Sequence, residues 1–313
     1  LCDRRQRQMC IRDRVFPMIR NRLSIKENQE EDTIRISDLL PVSVYMTDFS
    51  DRNYPTVRWH WHEDFQLCII TKGKIRFHTA GKSYFVSKGN GFFINSRSAH
   101  FVEPVEPDSA YYCVDFLPSL IAVEDNQALY QAVIAPFLSG NLPPAFLFDA
   151  SHPAGVRLTR TVRRIVNISE GEHFDGWELL LHGEILSAWP DILKLARCSV
   201  MPDTPGNSTS NERLTKTMEF LHAHFSEKLT LSEIAASIGL CPEECERFFK
   251  RMTGMTTFQY LLEYRIAKSR EFLADPSLAI AEIAQNTGFS SQSYFTSCFK
   301  KIVGCTPNKY RKQ

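Results

Sequence analysis

An internal repeat with a period of 49 to 50 residues constrains this 313-residue chain more than any other feature. Leu231-Ser-Glu-Ile-Ala-Ala-Ser-Ile-Gly-Leu240 matches Ile280-Ala-Glu-Ile-Ala-Gln-Asn-Thr-Gly-Phe289, and Phe249-Lys-Arg-Met-Thr-Gly-Met-Thr256 matches Phe299-Lys-Lys-Ile-Val-Gly-Cys-Thr306. In the first copy Leu231, Ile234, Ala235 and Ile238 stand at i, i+3, i+4 and i+7, a single apolar stripe on a helix that Thr230 can cap. A second helix can cross closely only over a small residue, which Ala235 supplies, and Gly239 can take the left-handed conformation that ends the first helix. Ile280, Ile283, Ala284 and Gly288 repeat the arrangement. A short helix, a glycine turn and a crossing helix form a helix-turn-helix unit, so the chain is expected to carry two of them, separated by a helix over 257–274 about 27 Å long. That spacing suits two recognition helices about one DNA turn apart.

The last hundred residues resemble the AraC/XylS family of bacterial transcription regulators. The resemblance rests on Leu231-x-x-Ile234-Ala235, Phe249-Lys250, Thr253-Gly254, Arg265-Ile266-x-x-Ser269, Ile283-Ala284-x-x-x-Gly288-Phe289, Gln292-Ser293-Tyr294-Phe295, Phe299-Lys300-Lys301 and Thr306-Pro307-x-x-Tyr310-Arg311. It implies that the exposed face of each second helix reads base edges: Glu243, Glu246 and Arg247 in the first copy, and Gln292, Ser293, Thr296 and Ser297 in the second. Arg247 suits guanine, Gln292 adenine, and Glu246 a cytosine amine. Lys250, Arg251, Lys300 and Lys301 are expected to hold phosphates. The run Pro242-Glu243-Glu244-Cys245-Glu246 departs from what DNA would favour, although carboxylates suit the positive end of a helix.

Upstream, Phe65–Ile70, Lys74–Thr79, Ser83–Val86, Gly91–Asn95 and Ala110–Phe116 are short β-branched and aromatic runs separated by glycine turns, the pattern of a small antiparallel barrel or sandwich. His60-x-His62-x-x-x-Gln66, with Gly73, Gly89-Asn90 and His100 further on, resembles the cupin pattern and looks like the sensing domain of AraC-type regulators. The resemblance implies a small effector, a sugar among the candidates, bound by His60, His62, Gln66 and His100 with help from Trp61 and Phe93. His60, His62 and Gln66 share parity, so a single strand would aim all three at one face. In metal-dependent cupins a glutamate stands where this chain has Gln66, so the same four residues make a poorer metal site and the pocket reading, with no cofactor, is preferred. The alternative is a metal-dependent cupin enzyme, an isomerase or dioxygenase, fused to a DNA-binding domain.

The expected fold is therefore α+β with two domains: an N-terminal antiparallel cupin-like β-barrel with helices, and an all-α C-terminal double helix-turn-helix. Residues 1–14, with Arg4-Arg5-Gln6-Arg7-Gln8 and Arg12-Asp13-Arg14, look like translated adapter DNA and are set aside as non-native. The effector barrel is placed at 15–150, a helical dimerisation segment at 151–198, a Pro/Gly/Ser linker at 199–210 and the DNA-binding domain at 211–313. Residues 211–313 hold 14 Lys and Arg against 11 Asp and Glu, and beyond residue 275 five basic residues face only Glu282, as expected where phosphates are met. No apolar run is long enough to span a bilayer and no signal-peptide pattern occurs, so a cytoplasmic homodimer is expected, acting on double-stranded DNA and a small molecule, with RNA polymerase a further partner. The cysteines show no spacing of zinc or dithiol sites, and Cys241 and Cys245 read as a cap and a helix-core residue.

Overall fold

The computed structural model describes residues 33–51, 56–122, 125–199 and 207–312, with the backbone of a two-residue strand at 19–20; the adapter-like residues 1–14 lie outside them. Two compact units result, one ending at Glu212 and one beginning at Arg213.

The first unit is built on β1 (Ile19–Arg20), β2 (Val42–Asp48), β3 (Val57–His60), β4 (Phe65–Lys72), β5 (Lys74–Thr79), β6 (Lys82–Ser87), β7 (Gly91–Ile94), β8 (His100–Pro104), β9 (Ala110–Phe116) and β10 (Ala145–Phe148). They form two sheets rather than one closed barrel, in the orders β1-β2-β9-β4-β7-β10 and β3-β8-β5-β6, antiparallel throughout except for β1 beside β2. The five strands expected from alternation are present. Alternation does not reveal β2, β3, β8 and β10, because their runs are short or lack a glycine boundary.

Central strand β4 is buried on both faces as far as Ile70. Its odd residues Phe65, Leu67 and Ile69 join one apolar cluster, while Cys68 and Ile70 join another with Phe77, Phe92, Tyr45 and Cys113. Alternation along the strand thus separates an outer layer from an interior between the sheets. The outer layer is covered by α1 (Gln127–Val133), α2 (Ala135–Leu138), α3 (Pro153–Glu170) and α4 (Trp177–Cys198). Trp189 of α4 is its centre, with ring centroids 5.0 Å from Phe65, 5.1 Å from Phe137, 6.2 Å from Phe116 and 6.4 Å from Phe93. Leu158, Val162 and Ile165 of α3 and Leu181, Ile185 and Ile192 of α4 are buried in the same cluster, so most of the apolar spacing in these helices serves the core. Phe174, Leu179, Leu180 and Leu186 remain exposed.

The second unit is helical: it holds α5 (Asn207–Ala223) from Arg213 onward, α6 (Leu231–Ser237), α7 (Pro242–Thr253), α8 (Thr257–Leu273), α9 (Ile280–Asn286), α10 (Gln292–Val303) and α11 (Pro307–Tyr310). Helix α5 begins inside the stretch expected as linker, of which 200–206 lie outside the described residues. Thr230 closes a capping box with Glu233 on α6, and Thr256 another with Gln259 on α8. Ala235 and Ala284 are buried where α7 and α10 cross, and Gly239 and Gly288 adopt φ of 66° and 75°. Gly288 is doubly constrained, since a Cβ there would lie 2.6 Å from the Phe225 carbonyl oxygen and 2.9 Å from the Arg265 guanidinium. Arg265 itself donates from Nε to the Phe225 carbonyl at 2.7 Å and from a terminal nitrogen to that of Glu227 at 2.7 Å, tying α8 to the segment after α5. Among the described residues no helix is long and apolar enough to cross a membrane.

Candidate nucleic-acid interface and interior histidine cluster

In each two-helix unit the second helix buries one side and leaves the other to solvent. Helix α7 sinks Cys245, Phe248, Phe249 and Met252, and α10 sinks Phe295 and Phe299. Glu243, Arg247, Lys250 and Arg251 are exposed on α7, as are Gln292, Ser293, Ser297, Lys300 and Lys301 on α10, with Thr296 half-buried. Glu246 differs. One of its carboxylate oxygens, Oε2, accepts from the Thr257 hydroxyl at 2.7 Å and from the Thr257 backbone N–H at 3.3 Å, which anchors the start of α8. Tyr294, which the sequence marks only as part of a motif, stands 53% exposed on the first turn of α10 beside Gln292 and Ser293. Cys241 is the exposed N-cap of α7, and Cys245 is buried in its core-facing side, where burial pushes its thiol up to about 11.

Three imidazoles meet inside the first unit. His60 ends β3 and pairs in register with His100, which begins β8, while His62 lies in the bend before β4. All three are 1% exposed, with ring centroids 4.0 Å apart for His60 and His100, 5.1 Å for His62 and His100, and 5.9 Å for His60 and His62. Each Nδ1 lies 2.8 Å from a backbone carbonyl oxygen, that of His60 from Arg58, that of His62 from Asp64 and that of His100 from Ser98. Burial lowers all three pKa values, that of His60 to about 3, with the His62 charge adding to the effect.

Gln66 occupies the same interior but does not join the three rings through a shared strand, because β3 ends at His60 and β4 starts only at Phe65. Its amide donates to the Tyr45 hydroxyl at 2.9 Å, and Asp115 lies directly opposite it on β9. Asp115 is fully buried, and desolvation, reinforced by the Asp64 carboxylate, pushes its pKa up to about 8 against the pull of Tyr45, Gln66 and Arg35. Asp64 is paired with Arg35 at 2.5 Å. Trp61 is buried under the Arg97 guanidinium, 5.6 Å from its ring. Phe93 does not line this interior. Phe92 stacks on Phe77 between the sheets, so its neighbour Phe93 points the other way, against Phe146, Phe137 and Trp189. Tyr45 and Asp115 carry no signal in the sequence, because only strand pairing brings them to Gln66.

The sequence pattern of the AraC-like ligand binding domain matches residues 42–157, and that of a helix-turn-helix domain matches 213–313. The chain belongs to the AraC family of transcription regulators. Over 291 residues it is 29% identical to the HTH-type transcriptional regulator YdeC of Bacillus subtilis, covering 92% of this chain and 96% of that one. It is 32% identical over 110 residues to the regulatory protein PocR of Salmonella typhimurium, 35% of this chain and 36% of that one. Among solved structures, ToxT from Vibrio cholerae covers 87% of this chain and 97% of its own, with 13% identity and a TM-score of 0.44. This AraC-family member is thus a DNA-binding transcription regulator with an N-terminal ligand-binding domain.

The buried acid sets a pH dependence in this regulator. Between the ordinary carboxylate pKa of about 4 and about 8, the unfolded chain has released the proton that folded Asp115 keeps. Stability therefore falls as pH rises through that window, by up to about 1.4 kcal/mol per pH unit from this group, and the penalty is absent below it. Urea unfolding of Asp115→Asn and wild type should diverge with rising pH, the variant gaining far more at pH 8 than at pH 5. Parallel midpoints across that range would show that the carboxyl is not buried in its neutral form.

Proposed function

We propose that this regulator reads operator DNA with α7 and α10 and that an uncharged or weakly polar small molecule, held in the interior between the sheets, changes that affinity. The observation that carries the DNA half is the repeated exposure of polar and basic residues along one side of two helices whose other side is buried behind a glycine turn. In this reading Gln292, Ser293, Thr296, Ser297, Glu243 and Arg247 face bases, with Glu246 serving as the tether of α8, and Lys250, Arg251, Lys300 and Lys301 meet phosphates. Gln292→Ala should relax preference at one base position, while Lys300→Ala should weaken binding to all sequences and flatten the salt dependence. Selection from random DNA tests this, and an unchanged preferred site for Gln292→Ala would overturn the assignment of faces.

The effector half rests on the chemistry of the interior. Neutral imidazoles, a neutral Asp115 and the Gln66 amide suit a molecule without charge. The His62 Nε2 and Trp61 indole nitrogen are buried without a hydrogen bond among the described residues, a cost that a ligand would offset. His60, His62, Gln66 and His100, with Trp61, are the residues proposed to meet it. Ligand and DNA must then alter each other's affinity by the same factor. A compound found to shift operator affinity in the wild type should lose that effect in Gln66→Ala while unliganded DNA binding persists; an equal shift in both would move the pocket elsewhere.

The exposed Phe174, Leu179, Leu180 and Leu186 support a homodimer paired through α4 and the turn before it. Two chains would present four reading helices, and the number of protected groove segments on operator DNA counts them. The regulator works where DNA and RNA polymerase are, in the cytoplasm, and is read as a regulator and not an enzyme.

A further inference from the structure

Between β7 and β8 the chain turns at Asn95-Ser96-Arg97-Ser98, where Arg97 has a φ of 58°. A residue other than glycine keeps that left-handed conformation only where its surroundings impose it. The surroundings here are the bend that carries His62. The Arg97 N–H donates to the His62 carbonyl at 2.8 Å and the Ser96 hydroxyl to the Glu63 carbonyl at 2.7 Å. The Arg97 guanidinium lies over the Trp61 ring and pairs with the Glu63 carboxylate at 3.2 Å. On the other side of the turn the Ser98 carbonyl holds the His100 ring. The turn is thus fastened to both segments that bring His62 and His100 into the interior. The Arg97 carbonyl in its turn accepts from the Asn211 side-chain amide at 3.0 Å. Asn211 is buried and belongs to the part of α5 that lies in the first unit, two residues before that helix passes into the second at Arg213.

We propose that this turn carries the state of the interior to α5, with Arg97 and Asn211 as the positioning residues that join the two. The inference deepens the reading of the interior as a ligand site and rests on it. A molecule that meets Trp61, His62 or His100 displaces the bend at 61–64 or the start of β8, and the turn is hydrogen-bonded to both. Glycine would adopt the φ of Arg97 without strain, so what the arginine adds is its side chain, which senses Trp61 and Glu63. The imposed φ gives the turn a second, relaxed conformation to fall into when its contacts loosen, the kind of two-state element a switch needs. In that conformation the Arg97 carbonyl no longer meets Asn211. The Asn211 Oδ1 is already buried without a hydrogen bond among the described residues, so losing the carbonyl leaves the amide unsatisfied and favours release of the start of α5. The same helix continues in the DNA-binding unit, where its Leu214 and Met218 are buried, so order at its start bears on the part that follows.

The test uses the full-length protein and no effector, so the connection and the ligand reading can fail separately. Amide hydrogen exchange over residues 207–214 and affinity for the selected operator are measured in wild type, Trp61→Phe, Asn211→Ala and the double variant. Trp61→Phe disturbs the interior side of the turn, and Asn211→Ala cuts its link to the helix. Each single variant should exchange faster than wild type over 207–214 and change operator affinity by about 5-fold or more. The double variant should match Asn211→Ala alone, because the interior then has no route left to disturb. Should Trp61→Phe prove unfolded by circular dichroism, Arg97→Gly replaces it, keeping the backbone conformation and the carbonyl while removing the guanidinium. A folded Asn211→Ala protein with wild-type operator affinity or wild-type exchange overturns the proposal, and so do effects of the two substitutions that simply add. In that event a compound whose action depends on Gln66 would still uphold the ligand site, with another path to the DNA.

Discussion

The N-terminal unit depends on a strand that is buried on both sides. In β4 the odd residues Phe65, Leu67 and Ile69 go to the helical layer and the even residues Gln66, Cys68 and Ile70 to the space between the sheets. Because side chains alternate strictly, one register fixes both environments, and a slip of one residue would put Gln66 under Trp189 and Phe65 between the sheets. The outer side is made of aromatic rings at 5.0 to 6.4 Å around Trp189, which supply the hydrophobic contribution. Freed from that role, the inner side can carry imidazoles, an amide and a carboxyl, groups whose burial costs stability and is retained where it serves binding.

The C-terminal unit solves a different problem twice. Helices as short as α6 and α9 are marginal alone, and each is held by a glutamate that accepts the N–H of the residue before it, Glu233 from Thr230 and Glu282 from Ala279, and by a longer helix packed over a buried alanine. The two copies are not equal. Gly239 has open space where a Cβ would stand, whereas Gly288 sits against the Phe225 carbonyl and the Arg265 guanidinium. The second turn is thereby locked to α8 and to the segment after α5, which holds α10 in a fixed relation to the rest of the unit. In the first copy the corresponding lock is Glu246 on Thr257 at the start of α8.

Much of this is legible in the sequence, for reasons that also mark the limits. The repeat places Ala235, Gly239, Ala284 and Gly288 because close helix crossing and a left-handed turn admit few residue types. His60, His62 and His100 can be grouped from pattern, and the register pairing of His60 with His100 accounts for their meeting. Phe93 is misplaced by pattern alone because alternation tells which residues share a face and not which face looks inward. Gln66 shares parity with His60 and His62, but the bend between β3 and β4 breaks the count. Position alone makes Glu246 base-facing, and a carboxylate that finds a hydroxyl and an N–H at the next helix start is invisible without the tertiary contact. Asp115 and Tyr45 need strand order, and the Asp64–Arg35 pair a contact between distant segments, neither of which a local signal supplies.

At the centre of the account stands the claim that each chain offers two reading helices to DNA. Hydroxyl-radical and methylation protection of the selected operator by the full-length protein measures it directly. Each bound chain should protect two major-groove segments about one helical turn apart, and a dimer should double the set to four. A single protected segment per chain, or protection lost with Arg247→Ala but indifferent to substitutions on α10, would contradict it.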